Sequence, residues 1–117
     1  MSKLSTHVLD TANGHPAQGM TIEFVRNPGS GETVLKTLLT NSDGRTDELL
    51  LSESEMAEGE YELRFDVGEY FRRISGDSSS AGFLNVVPVR FSIYDASQGY
   101  HVPLLCSPWS FSTYRGS

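Results

Sequence analysis

A mainly β chain of eight strands, spaced as in a β-sandwich and with at most short helical turns, is what the sequence predicts. Three observations carry this. Short runs rich in β-branched and aromatic residues alternate with Gly, Pro, Asn and Asp clusters at roughly the spacing of sandwich strands. Only two stretches have a helix-compatible pattern, and both are short. No run approaches the roughly eighteen apolar residues that a membrane helix needs.

The elements follow in chain order. The first run, 4–10, is closed by the turn signals Asn13-Gly14-His15-Pro16. The second, 20–26, ends at Asn27-Pro28-Gly29-Ser30-Gly31, and the third, 33–40, at Asn41-Ser42-Asp43-Gly44. A fourth strand is expected over 46–50. Ser52, with Glu55 three residues on, has the form of a capping box, but Gly59 closes that stretch within about two turns. The fifth strand spans 60–66. Residues 69–74 then read as one or two helical turns leading into the loop Ser78-Ser79-Ser80-Ala81-Gly82. The sixth run is 86–94, and Ser97-Gln98-Gly99 separates it from the seventh, 100–105. A Ser107-Pro108 break precedes the eighth, 110–114.

Strand periodicity assigns faces. Thr6 and Val8 share one side of the first strand, and Ser5, His7 and Leu9 the other. With Val8, Val102, Leu104 and Phe111 turned inward, His7, His101, Ser112 and Tyr114 turn outward. They share that face with Leu9, Pro103 and Leu105. Apolar residues mixed with His and Tyr on a nominally wet surface suggest a subunit interface or a ligand channel.

A chain of 117 residues makes one domain, 1–117, small for a complete enzyme pocket, so a pocket shared between subunits is expected. Net charge is −6, ten of the fifteen acids lie between Asp43 and Glu69, and no basic stripe is present. Nucleic acid and anionic membranes are therefore poor partners. After residue 77 the only acid is Asp95, against Arg90 and Arg115, which suits an anionic small molecule. The lone Cys106 excludes an intramolecular disulfide and fits a reducing compartment. Met1-Ser2-Lys3-Leu4-Ser5 lacks the apolar segment of a secretory signal, and the last residues are not a peroxisomal Ser-Lys-Leu signal. The expected location is cytoplasmic.

Few residues carry reactive chemistry. His7 and His101 can move protons near pH 7, though each also reads as a half-exposed strand histidine. Arg45 leaves the Asp43-Gly44 turn, where it could grip an anion with paired hydrogen bonds or simply pair with Asp43 or Asp47. Tyr114-Arg115-Gly116-Ser117 is a set able to stack, bind anions, bend and hydrogen-bond. No H-E-x-x-H, C-x-x-C or G-x-S-x-G is present, so neither a metal nor a cofactor is expected, nor a serine-hydrolase elbow. Cys106 lies five residues from His101, on the opposite strand face, and reads as a buried free thiol.

Three blocks resemble the transthyretin-like family, and within it the 5-hydroxyisourate hydrolases. They are Leu4-Ser5-Thr6-His7-Val8-Leu9-Asp10 with Gly14 and Pro16-Ala17, then Asp43-Gly44-Arg45, then Tyr100-His101-Val102-Pro103-Leu104-Leu105 through Ser112-Thr113-Tyr114-Arg115-Gly116-Ser117. The resemblance implies an eight-stranded two-sheet β-sandwich with one short helix after the fifth strand, and a homotetramer built as a dimer of dimers around a central channel. It implies hydrolysis of 5-hydroxyisourate at its N1–C6 amide bond, giving 2-oxo-4-hydroxy-4-carboxy-5-ureidoimidazoline. His7, Arg45, His101 and Ser117 would be catalytic, Ser117 through its hydroxyl or carboxylate. Ser112, Tyr114, Arg115 and Gly116 would bind substrate. The alternatives are carriage of a thyroid-hormone type ligand, as in transthyretin, and a structural adhesion module; both leave two histidines and an arginine on one face unused.

Overall fold

Alternation in the first run becomes strand β1 (Leu4–Asp10), in which every even residue is buried and Ser5, His7 and Leu9 are half-buried. The structure, a computed structural model, describes residues 2–76 and 82–117. Its further elements are β2 (His15–Pro16), β3 (Thr21–Arg26), β4 (Thr33–Leu39), β5 (Gly59–Asp66), the helix α1 (Val67–Ser75), β6 (Val86–Ile93), β7 (Tyr100–Cys106) and β8 (Phe111–Thr113). They form two four-stranded sheets, ordered β2-β1-β7-β8 and β4-β3-β5-β6. The expected mainly β two-sheet sandwich with one helix after β5 is the observed architecture.

The core lies between the sheets. Leu4, Val8, Val102 and Leu104 of the first sheet share one apolar cluster with Ile22, Phe24, Leu63 and Phe65 of the second. Each such side chain contributes roughly 1.5–3 kcal/mol when fully buried. Polar groups caught inside are bonded: the Thr6 hydroxyl donates to the Val102 carbonyl at 2.7 Å. The buried Asp10 carboxylate accepts from the amides of Ala12 and Asn13, the Asn13 side chain and the Tyr70 hydroxyl. That last bond ties the end of β1 to α1. Cys106 is fully buried, and burial followed by the Asp10 charge pushes its thiol up to about 12. It is the buried free thiol expected.

One pairing decides where the functional side chains fall. β1 and β7 run parallel in unbroken register, from Leu4 opposite Tyr100 to Asp10 opposite Cys106. Ser5 therefore neighbours His101, and His7 neighbours Pro103, all turned to the outer face. β8 adds antiparallel to β7 with Ser112 opposite Leu105.

Several expectations are corrected. Residues 46–50 form no strand: Thr46 bridges Thr40 at the end of β4, while Leu51 bridges Leu4 of β1. A segment whose backbone bonds go to two different sheets crosses between them and cannot ladder along either. His15–Pro16, expected within a turn, is instead a two-residue edge strand against β1; the missing proline amide is harmless at an edge. The capping box at Ser52 is present but launches only the 3₁₀ turn Glu53–Glu55. Helix α1 begins at Val67, two residues before the expected start, burying Val67, Gly68, Tyr70 and Phe71, and it ends at Gly76 in the left-handed conformation. Phe111, expected inside, is 44% exposed because it sits on the edge strand. The expected loop at 78–82 lies, Gly82 apart, outside the described residues.

Candidate active site

The Asp43-Gly44-Arg45 turn builds one side of the site. Asn41 closes it from both ends: its amide donates to the Arg45 carbonyl at 2.7 Å, and its side-chain oxygen accepts from the amides of Asp43 and Arg45. Gly44 seats the turn on β1, its carbonyl accepting from the Val8 amide at 2.8 Å. At φ +77°, with the Val8 carbonyl oxygen only 2.3 Å from where a Cβ would stand, no other residue fits without displacing backbone.

Seated this way, the turn meets His7. The His7 Nε2–H donates to the Asp43 carbonyl at 2.8 Å. A carbonyl only accepts, so in neutral His7 the proton is on Nε2 and the lone pair on Nδ1. His101 lies on the adjoining strand, its ring centroid 6.5 Å from that of His7 with the planes tilted by 40°. Its Nδ1 meets the Ser5 hydroxyl at 2.9 Å, which leaves Nε2 as the nitrogen open to a ligand. Burial first, and then the positive charge of Arg45 and the nearness of a second imidazole, hold the His101 pKa below the ordinary imidazole value. His101 is accordingly neutral at pH 7 and able to accept a proton.

The Arg45 side chain is exposed, and none of the salt bridges or hydrogen bonds among the described residues engages its guanidinium. Asp47 instead accepts from Asn41. The bland surface-pair reading of Arg45 is therefore not realised: its charge reaches His101, and no anion among the described residues engages it.

The chain's last residues continue the β8 register as far as Gly116, which exchanges backbone hydrogen bonds with His101 at 2.7 and 3.1 Å. A Cβ at Gly116 would stand 3.1 Å from the His101 Cβ and 3.3 Å from its Cδ2, so the glycine lies flat against the ring. The tail thus reaches His101, with Ser117 exposed one residue beyond. Arg115 is not brought to the histidines. Its guanidinium lies over the Tyr100 ring at 4.5 Å and donates to Gln98 Oε1 and the Gly99 carbonyl. Strand parity is the reason: with Gly116 opposite His101, Arg115 falls on the Tyr100 and Val102 side, where it clamps the tail in place. Tyr114 and Arg115 both border a cleft of about 430 Å³ lined by residues of β6, β7 and β8. Ser112 is exposed, on the face of Leu105.

Three contributors were not singled out from sequence. Ser5 shares the odd-numbered face of β1 with His7, a signal that parity already contained. Lys3, one step earlier on that face, adds a further positive charge that reaches His101. The backbone carbonyl of Asp43 carries no sequence signal at all.

Comparison with known proteins bears on this arrangement. The model of the HIUase/Transthyretin family matches residues 4–116. The chain is 52% identical over 116 residues to a 5-hydroxyisourate hydrolase of Halalkalibacterium halodurans, covering 98% of each. It superposes on the structure of Klebsiella pneumoniae 5-hydroxyisourate hydrolase with a TM-score of 0.80 at 35% identity, over the whole of both chains. It also superposes on sea bream transthyretin in complex with thyroxine, with a TM-score of 0.84 at 26% identity, covering 97% of this chain and 94% of that one.

Proposed function

The chain belongs to the HIUase/Transthyretin family, and from that premise we propose that it hydrolyses the N1–C6 amide bond of 5-hydroxyisourate. The observation that carries the reading is the pair of imidazoles at 6.5 Å beside an unengaged guanidinium. A carrier of apolar hormones has no use for such a set. Ring opening by water needs all three.

In the proposed mechanism a water molecule is held between the imidazoles, with His7 Nδ1 accepting a hydrogen bond that orients it. His101 takes the other proton of that water through Nε2 as the oxygen attacks C6. Negative charge gathers on the former carbonyl oxygen, where Arg45 meets it with two parallel N–H donors. The His101 imidazolium then returns the proton to N1 as the C6–N1 bond breaks. An imidazolium whose pKa is depressed by burial and by neighbouring cations gives that proton up readily. Ser117 and Gly116 close the side of His101 facing the tail, and Ser112 and Tyr114 line the approach.

The outer face of the first sheet supports an assembly as well. Leu9 and Leu105 sit there half-covered beside His7, and one chain walls the histidines on only one side. We read the second wall as another copy of the chain, in a tetramer. No described helix is long and apolar enough to cross a membrane.

The test is a coupled assay in which urate oxidase generates 5-hydroxyisourate and its ultraviolet decay is followed with and without this protein. A decay rate that the protein leaves unchanged refutes the reading. Within that assay, Arg45→Ala is expected to lower kcat/KM by about 10²–10³, with part restored in Arg45→Lys, which returns the charge but not the paired donors. Deleting 115–117 removes both backbone bonds to His101 and the Tyr100 clamp. Turnover is expected to vanish while sedimentation still reports a tetramer. Full activity in the truncated chain excludes a role for the tail.

A further inference from the structure

We infer that Ser5 is a positioning residue for His101: its hydroxyl oxygen accepts the Nδ1–H of the imidazole, so that Nε2 carries the lone pair aimed at the reacting water. The inference rests on the proposed hydrolysis but adds a residue that no part of that reading requires. Its basis is the parallel register of β1 and β7. Ser5 and His101 are direct neighbours in the ladder, both on the outer face, with Oγ and Nδ1 2.9 Å apart. The contact spans 96 residues of sequence, yet it is fixed by backbone pairing on both sides of it.

At that distance the hydroxyl could donate or accept, and protonation of the ring decides between the two. An imidazolium carries a proton on Nδ1 in every case. If the hydroxyl accepts from Nδ1–H in the neutral state, the same bond persists unchanged when Nε2 takes the proton of water. If the hydroxyl donates to Nδ1, it must rotate away at the moment of reaction, and the nitrogen aimed at the water already carries a proton. Only the accepting arrangement leaves His101 ready to act without reorganisation.

His101 is held from other sides too. Gly116 bonds its backbone and lies against Cδ2. Arg45 and Lys3 supply the charges that face it, and the His7 ring stands across from it. Of the described residues Ser5 alone is hydrogen-bonded to the His101 ring, through its hydroxyl at Nδ1 and through its backbone in a contact that favours the charged ring; the hydroxyl is the part that a substitution removes.

The experiment compares Ser5→Ala and Ser5→Thr with the wild type in the full-length protein. Each is assayed for kcat and KM, and the ¹⁵N shifts of its histidine side chains are recorded at neutral pH. In the wild type, His101 is expected to show a protonated Nδ1 and an unprotonated Nε2. Ser5→Ala is expected to give mixed tautomers and a kcat lower by about tenfold, with KM within about twofold. Ser5→Thr restores both, because it keeps the hydroxyl. A wild-type His101 protonated on Nε2 overturns the inference. So does a loss of kcat in Ser5→Ala that leaves the His101 shifts unaltered, or wild-type kcat in that variant. If the wild type itself fails to hydrolyse 5-hydroxyisourate, the functional reading falls, while the nitrogen shifts still decide whether Ser5 orders the ring.

Discussion

A His101→Asn variant is expected to turn over 5-hydroxyisourate about 10³–10⁴-fold more slowly than the wild type, and His7→Asn about 10²-fold more slowly. The asymmetry follows from the two hydrogen-bond environments. His101 accepts the proton of water and returns it to nitrogen, a task no amide performs at neutral pH. His7 commits Nε2–H to the Asp43 carbonyl and contributes a lone pair at Nδ1, which water partly replaces. Both rings are half-buried on an outer face, so asparagine leaves the core intact and the loss is one of chemistry. The pH profile supplies a second check. Burial and then the charge of Arg45 depress the His101 pKa, which favours the unprotonated base. The acid limb of kcat/KM is therefore expected below the ordinary imidazole value of about 6.5, with activity lost as pH falls through it. Rates in His101→Asn close to those of the wild type, or a limb at or above that value, would assign the proton work elsewhere.

The histidine face was legible in the sequence because one rule sufficed. In strands, residues two apart share a side, and burying Val8, Val102 and Leu104 forces His7 and His101 outward. The same rule, applied to the edge strand β8, wrongly put Phe111 inside, since an edge strand lacks cover on its inner face. Parity also held Ser5 in plain view, but a serine on a strand gives no reason to single it out until β7 is known to lie beside β1. That pairing is parallel and joins residues 96 apart, so no local pattern announces it. The strand expected at 46–50 failed for a related reason. Its composition suits a strand, yet Thr46 is bonded to Thr40 and Leu51 to Leu4, and the choice between following one sheet and bridging two is made by partners far away. His7 received its orientation from a backbone carbonyl, a group every residue carries and no sequence pattern marks.

The glycine of the Asp43-Gly44-Arg45 turn is where fold and chemistry meet, and a matched pair of substitutions separates the two. Gly14 and Gly44 have nearly the same backbone, φ +76° and +77°. A Cβ at Gly14 meets nothing within 4 Å, whereas at Gly44 it would stand 2.3 Å from the Val8 carbonyl oxygen and 3.2 Å from the Pro16 Cβ. Gly14→Ala pays only for the left-handed backbone, about 1 kcal/mol. Gly44→Ala pays that and a collision with a carbonyl that cannot move freely, because it accepts from the Ala17 amide at 3.0 Å and belongs to β1. The turn must lift, which breaks the bond from the Val8 amide to the Gly44 carbonyl. Its cost is expected at about 3 kcal/mol or more in urea unfolding. Catalysis should suffer beyond stability, since lifting the turn withdraws the Asp43 carbonyl from His7 and moves the Arg45 guanidinium. Assayed well below its unfolding midpoint, Gly44→Ala is expected to retain less than about 1% of the wild-type kcat/KM, the loss of two aligned groups at once. Gly14→Ala should keep nearly all of it. Equal costs for the two variants, or a folded Gly44→Ala with normal kinetics, would mean that close approach of this turn to β1 does not position the site.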